Sequence, residues 1–160
     1  MDIPGNVQIR FIRGTAWDSK IIEYRTRAWC SHVEAMTALP GFTIGAMLKG
    51  GVAMRALSDP VYNGVQRYEI WNIPCTKLQE LAFHDALYNE LFKPYDWRAI
   101  CAFGMGERDW EAPDSWFCSE LQMSVLKKAG IWKPAGEAHI DRIDPGMAYL
   151  LITSLPGAHL

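Results

Sequence analysis

Apolar and polar residues alternate from Val7 to Ile12 (VQIRFI). A period of two sends successive side chains to opposite faces, so this run predicts a half-buried strand. Gly14 and Thr15 then open a segment with Trp17, Ile21 and Tyr24 at near-helical spacing, which predicts a helix. From Ser31 the texture changes: SHVEAMTAL, GFTIGAML and GVAMRAL are short apolar or alternating runs divided by Pro40-Gly41 and Gly50-Gly51. Such punctuation predicts an antiparallel meander. Gln66 to Ile73 (QRYEIWNI) supplies a further strand, which Pro74 should end.

Thr76 can cap a helix, because Gln79 stands three residues later, and Leu78, Leu81, Ala82, Leu87 and Leu91 make an apolar stripe up to Lys93-Pro94. A shorter helix is expected after Asp96. The last strong helix should begin at Asp114 or Ser115, carry Leu121, Val125 and Leu126 inward, and stop at Lys127-Lys128-Ala129-Gly130, a cationic last turn followed by glycine. Beyond it, MAYLLITSL reads as a strand closing the sheet. Helices packed on an antiparallel sheet make an α+β fold.

Composition narrows the function classes. At 160 residues, with 49% apolar and 21% charged residues, the chain (1–160) fits one domain, and Pro and Gly are spread as turn signals with no linker. A formal net charge of -2 supplies no broad basic field for nucleic acid. The N-terminus has no basic start followed by an apolar run, and no stretch approaches the roughly 18–20 apolar residues of a membrane span. Cys30, Cys75, Cys101 and Cys118 lie far apart, without zinc-type spacing. The expectation is a soluble protein with free thiols, cytoplasmic or virion-associated, needing no metal or organic cofactor.

PDSWFCSEL carries the first candidate chemistry. With Ser115 as the cap, Cys118 falls at the third helical position, where unpaired amides and the helix dipole favour an anion such as a thiolate. The Cys118 amide could also donate to an oxyanion. The competing reading is an inert buried thiol at an amphipathic helix start. A cysteine nucleophile needs a base, and His32, at the start of SHVEAM, is the best placed of the four histidines. Cys30 ranks below Cys118, since a strand offers no helix amides. Trp29, Trp110 and Trp116 could line a cleft or belong to the core.

These pieces, in their order, resemble the circularly permuted papain-like amidases of the NlpC superfamily, which also contains the lecithin retinol acyltransferase group. VQIRFIRG, SHVE, GGVAMR, KPYDW and WFCSEL carry the resemblance, with His32 before Cys118, the reverse of unpermuted papain-like enzymes. The resemblance implies a permuted papain-like (NlpC-type) α+β fold, Cys118 as nucleophile and His32 as general base and acid. It places Tyr95 near the cysteine as an oxyanion donor, and it implies peptide, amide or acyl substrates, including cell-wall peptides.

The resemblance also implies a polar third member on the strand after the histidine strand, where this chain has Gly45, with Thr43 and Ile44 beside it. Glycine cannot orient a ring. Thr43 could do so weakly, and Glu34 could do so from His32's own strand face, although a solvated or cross-strand charge is the more ordinary role for Glu34. The site therefore reads as a dyad or a triad. The rival function is a noncatalytic binding or assembly module, a viral one included, that keeps the scaffold. A metal module built on Cys30 and His32 lacks a ligand set.

Overall fold

A computed structural model describes residues 3–97, 115–134, 136 and 139–160. Within them the order is β1 (Pro4–Arg13), α1 (Trp17–Thr26), β2 (His32–Met36), β3 (Phe42–Met47), β4 (Gly51–Ala56), β5 (Arg67–Thr76), α2 (Lys77–Tyr88), α3 (Cys118–Lys128) and α4 (Pro145–Thr153), with 3-10 turns at Pro60–Tyr62 and Ile140–Arg142. The strands form one antiparallel sheet in the order β4-β3-β2-β1-β5. This is the expected α+β architecture, and the meander lies where the glycine and proline punctuation put it.

β1 is an interior strand, between β2 and the edge strand β5. Val7, Ile9 and Phe11 are buried, as the alternation predicts, but so are Arg10 and Ile12 on the other face. The second face is therefore covered too, and a cation is trapped there. α2 packs on β1, while α3 packs on β2 and β3. Every residue of α3 from Cys118 to Leu126 is buried, so this is a central helix. Its Leu121, Val125 and Leu126 each contribute roughly 1.5–3 kcal/mol by leaving water. Gln122 ties it to the sheet through Nε2, which donates to the Ile44 carbonyl at 3.1 Å.

The α2 cap is the predicted one: Thr76 Oγ1 accepts from the Gln79 amide at 3.2 Å, and Gln79 Oε1 accepts from the Thr76 amide at 3.0 Å. Other expectations need correction. β5 does not end at Pro74 but runs through it to Thr76, opposite Asn6 to Pro4. β5 is a sheet edge, where a residue without an N–H costs no ladder bond, and Asn72 bridges out to His159 in the C-terminal tail. In α1 the buried residue is Ile22, whereas Trp17 and Tyr24 face solvent.

MAYLLITSL is helical, not a strand. Asp144 accepts from the Met147 amide at 2.8 Å, Pro145 fits the first turn, and Ala148 and Ile152 are buried one turn apart. A local Asp-Pro start signal thus overrides the strand tendency of Tyr and Ile. The helix expected after Asp96, the Asp114 start, Cys101 and Trp110 lie outside the described residues. Among the described residues no helix is long and apolar enough to cross a membrane, and Cys30, Cys75 and Cys118 are free thiols.

Candidate active site

Backbone pairing joins the sequence motifs into one place. Gly51, at φ +63°, lies so close to Lys93 that a Cβ there would sit 2.4 Å from its carbonyl oxygen. This approach lets the Val52 amide donate to the Lys93 carbonyl at 2.9 Å. Next along the chain, the Trp116 amide donates to the Pro94 carbonyl and the Asp96 amide to the Trp116 carbonyl, both at 3.0 Å. GGV thus holds KPYD, and KPYD holds the residues before Cys118. Glu90 fixes Trp116 from the side, accepting from its Nε1 at 2.8 Å and pairing with Lys93 and Lys128 at 2.6 and 2.7 Å. Although burial opposes its charge, Lys128, Lys93 and Trp116 hold the Glu90 carboxyl at a pKa of about 2.

That bridge keeps Ser115 and Trp116 out of the helix. The cap is therefore Phe117 and not Ser115, and Cys118 is the first helical residue, not the third. Glu120 accepts from the Phe117 amide at 3.0 Å. Burial, with Asp96 and Asp141 nearby, raises its pKa to about 7. The amides of the first turn, Cys118's included, have no acceptor within the helix. They remain at the nucleophile's end as donors.

The register of β1 and β2 sets the other half of the site: Ile12 stands opposite His32 and Arg10 opposite Glu34. His32 and Glu34, two residues apart, share a face, with His32 Nε2 3.5 Å from Glu34 Oε2. This is longer than a charge-assisted hydrogen bond. Burial works against the imidazolium, but the neighbouring Cys118 and then Glu34 outweigh it, and the His32 pKa rises to about 9.

Glu34 is not a solvated charge. It is fully buried, and Oε1 accepts from Arg10 NH1 at 3.0 Å while Oε2 accepts from the Tyr62 hydroxyl at 2.8 Å. Burial would raise its pKa, yet His32, Tyr62 and Arg10 together hold it below the usual carboxylate value. Thr43 does not reach the ring: its hydroxyl meets Tyr62 at 2.8 Å, two steps behind His32. Gly45 explains the arrangement. A Cβ there would lie 2.8 Å from Glu34 Cβ and 3.3 Å from His32 Nε2, so the absent side chain is what lets Glu34 stand beside the imidazole.

Tyr95 packs against Phe117 with ring centroids 5.9 Å apart. Burial first, and then the charge of Cys118, push its hydroxyl pKa well up, so it stays a proton donor. The Cys30 thiol, pushed up to about 12 by burial and then by Cys118, lies 3.6 Å from the Pro145 carbonyl and is inert by comparison. His84, His139 and His159 are not brought to Cys118; His159 pairs with Asn72 at the sheet edge, and His139 faces Asp141.

His32 and Tyr95 line a cleft of about 420 Å³, walled by the first turn of α1, the β3–β4 hairpin and the loop after Pro60. Its lining is mostly apolar, with Asp18, Lys49 and the His32 imidazolium as the charged members. Trp17, Leu48 and Val61 belong to that wall while remaining 64%, 42% and 46% exposed. Trp29 and Trp116 do not line it; Trp29 stacks under Arg67 and beside Tyr149. Trp17, Tyr62 and Arg10 are the residues that sequence reasoning missed.

No protein-family model matches the chain, and no curated protein matches it. Among solved structures it is similar to the metalloprotein YiiX of Escherichia coli O157:H7, of the group DUF1105. The identity is 21% and the TM-score 0.60, over 79% of this chain and 66% of YiiX. At that identity the likeness is one of fold, and this chain spans about two thirds of YiiX's length.

Proposed function

We propose that the chain is a thiol hydrolase of permuted papain-like (NlpC-type) order, an amidase or peptidase acting through a Cys118 thioester. The observation that carries this reading is a single imidazole, His32, set between a cysteine at a helix N-terminus and a fully buried carboxylate, Glu34. The Cys118 sulfur, its proton on His32, adds to the substrate carbonyl carbon. The oxyanion takes hydrogen bonds from first-turn amides and from Tyr95. The bond to the leaving group then breaks, the imidazolium proton goes to that group, and a thioester remains. Neutral His32 takes a proton from water, hydroxide attacks the thioester, and the acid and thiol are restored. Glu34 holds the ring throughout and stays ionised.

Gly45 gave the noncatalytic reading its motive, and the position of Glu34 supplies a reason for that glycine within an active site. YiiX is described as a metalloprotein. Among the described residues of this chain no three His, Cys, Asp or Glu side chains are grouped to hold an ion, and no step above passes through one.

The mostly apolar cleft supports substrates with an uncharged, apolar acyl group. For p-nitrophenyl esters, kcat/KM should rise about fourfold per added methylene until the cleft is filled. Trp17→Ala should flatten that series. A series already flat in the wild type, or a preference for acyl groups bearing a charge, would overturn this substrate class.

A further inference from the structure

β1 also supports the site from beside the His32–Glu34 strand. Arg10 is 6% exposed and points at Glu34 from the neighbouring strand, directly opposite it in register. Its guanidinium carbon lies 4.9 Å from the Tyr62 ring centroid and 4.8 Å from that of Tyr68. One NH1–Oε1 bond of 3.0 Å joins it to the carboxylate. Two rings therefore clamp a planar cation in one orientation, and the cation holds one oxygen of Glu34 while the other faces His32.

A buried carboxylate without a cation takes up a proton to escape desolvation. As an acid, Glu34 would lose the charge that supports the imidazolium. The groups facing Glu34 are His32 on its own strand, Arg10 on β1 and Tyr62 from the turn, with Thr43 of β3 behind Tyr62. Arg55 of β4 acts on Tyr62, and Cys118 of α3 acts on His32. Arg10 is the fixed positive charge in direct contact with the carboxylate.

Resting on the thiol-hydrolase reading, we infer that Arg10 is a positioning residue: clamped between Tyr62 and Tyr68, it keeps Glu34 ionised and aimed at His32. Arg10→Met keeps the bulk and removes the charge, whereas Arg10→Lys keeps the charge. In Arg10→Met the acidic limb of kcat/KM should move to higher pH by at least one unit. Activity at pH 5.5 then falls tenfold or more, while at pH 8 it stays within about threefold of wild type. Arg10→Lys should return the limb most of the way.

A folded Arg10→Met protein whose limb has not moved, or whose loss is equal at every pH, would leave Arg10 a packing residue. Should that variant fail to fold, Tyr68→Leu, at a half-exposed position, releases one side of the clamp on Arg10, and the Glu34 carboxyl carbon followed by NMR carries the test. It should be ionised at pH 4.5 in the wild type and titrate at higher pH in Tyr68→Leu; a titration that does not move between the two would contradict the inference. The NMR result does not depend on turnover. A wild type without activity but with an ionised Glu34 would defeat the hydrolase reading and not this one.

Discussion

Cys118→Ala should lower ester or amide hydrolysis by at least about 10³-fold and abolish labelling by a thiol-reactive acyl probe. The reason is specific to position. In the proposed reaction Cys118 forms the covalent bond, and neither Cys30 nor Cys75 stands in its place: Cys30 is fully buried with its thiol pushed up to about 12, and Cys75 sits on the edge strand. The fold should survive. Removing one buried sulfur leaves a small void, so Tm should fall by only a few degrees. Retained labelling in this variant would place the nucleophile elsewhere.

Glu34→Gln should do more harm to the fold than any change at Cys118. The amide keeps the shape of the carboxylate but leaves the Arg10 guanidinium buried without its counter-charge. Breaking a buried pair from one side costs about 3–5 kcal/mol, a fall in Tm of roughly 10 °C for a chain of this size. Turnover should fall about 10²-fold or more, since His32 loses the group that orients it. The pH signature follows from the sign of the shift. Glu34's charge helps raise the His32 pKa to about 9, and the imidazolium that protonates the leaving group is lost above that value. Without the charge that pKa falls, so the alkaline limb of kcat/KM moves to lower pH. Unchanged stability together with an unmoved alkaline limb would show that Glu34 does not act on His32.

The elements with strong local signals were legible in the chain: the alternation of β1, the glycine-divided meander, the Thr76–Gln79 cap and the end of α3 at Gly130. Interactions between distant segments were not. Ser115 has the chemistry of a cap, but the pairing of Trp116 with Pro94 and Asp96 draws it into an extended bridge, so the helix starts later. Arg10 occupies a polar position of an alternating strand, which normally means solvent. Only the register opposite Glu34, and the two tyrosines that close over it, make it a buried partner.

Glu34 was visible as His32's neighbour on one strand face, while its buried state was not, because that depends on Tyr62, 28 residues away. Gly45 looked like a missing residue. Its role becomes plain once a Cβ there is seen to collide with Glu34: the polar partner expected from the next strand is replaced by one on the histidine's own strand. Trp17 was counted in a helical spacing, but spacing does not say which side of α1 meets the sheet.

In the proposed reaction Cys118, served by His32, takes the acyl group. Mixing the protein with a p-nitrophenyl ester, quenching in acid during the first turnover and mapping the peptides by mass spectrometry tests it most directly. One acyl group per active chain is expected on Cys118, absent from Cys118→Ala and strongly reduced in His32→Ala. Hydrolysis that proceeds with Cys118 unmodified, or an acyl group carried by Cys30, Cys75 or Cys101 instead, would contradict it.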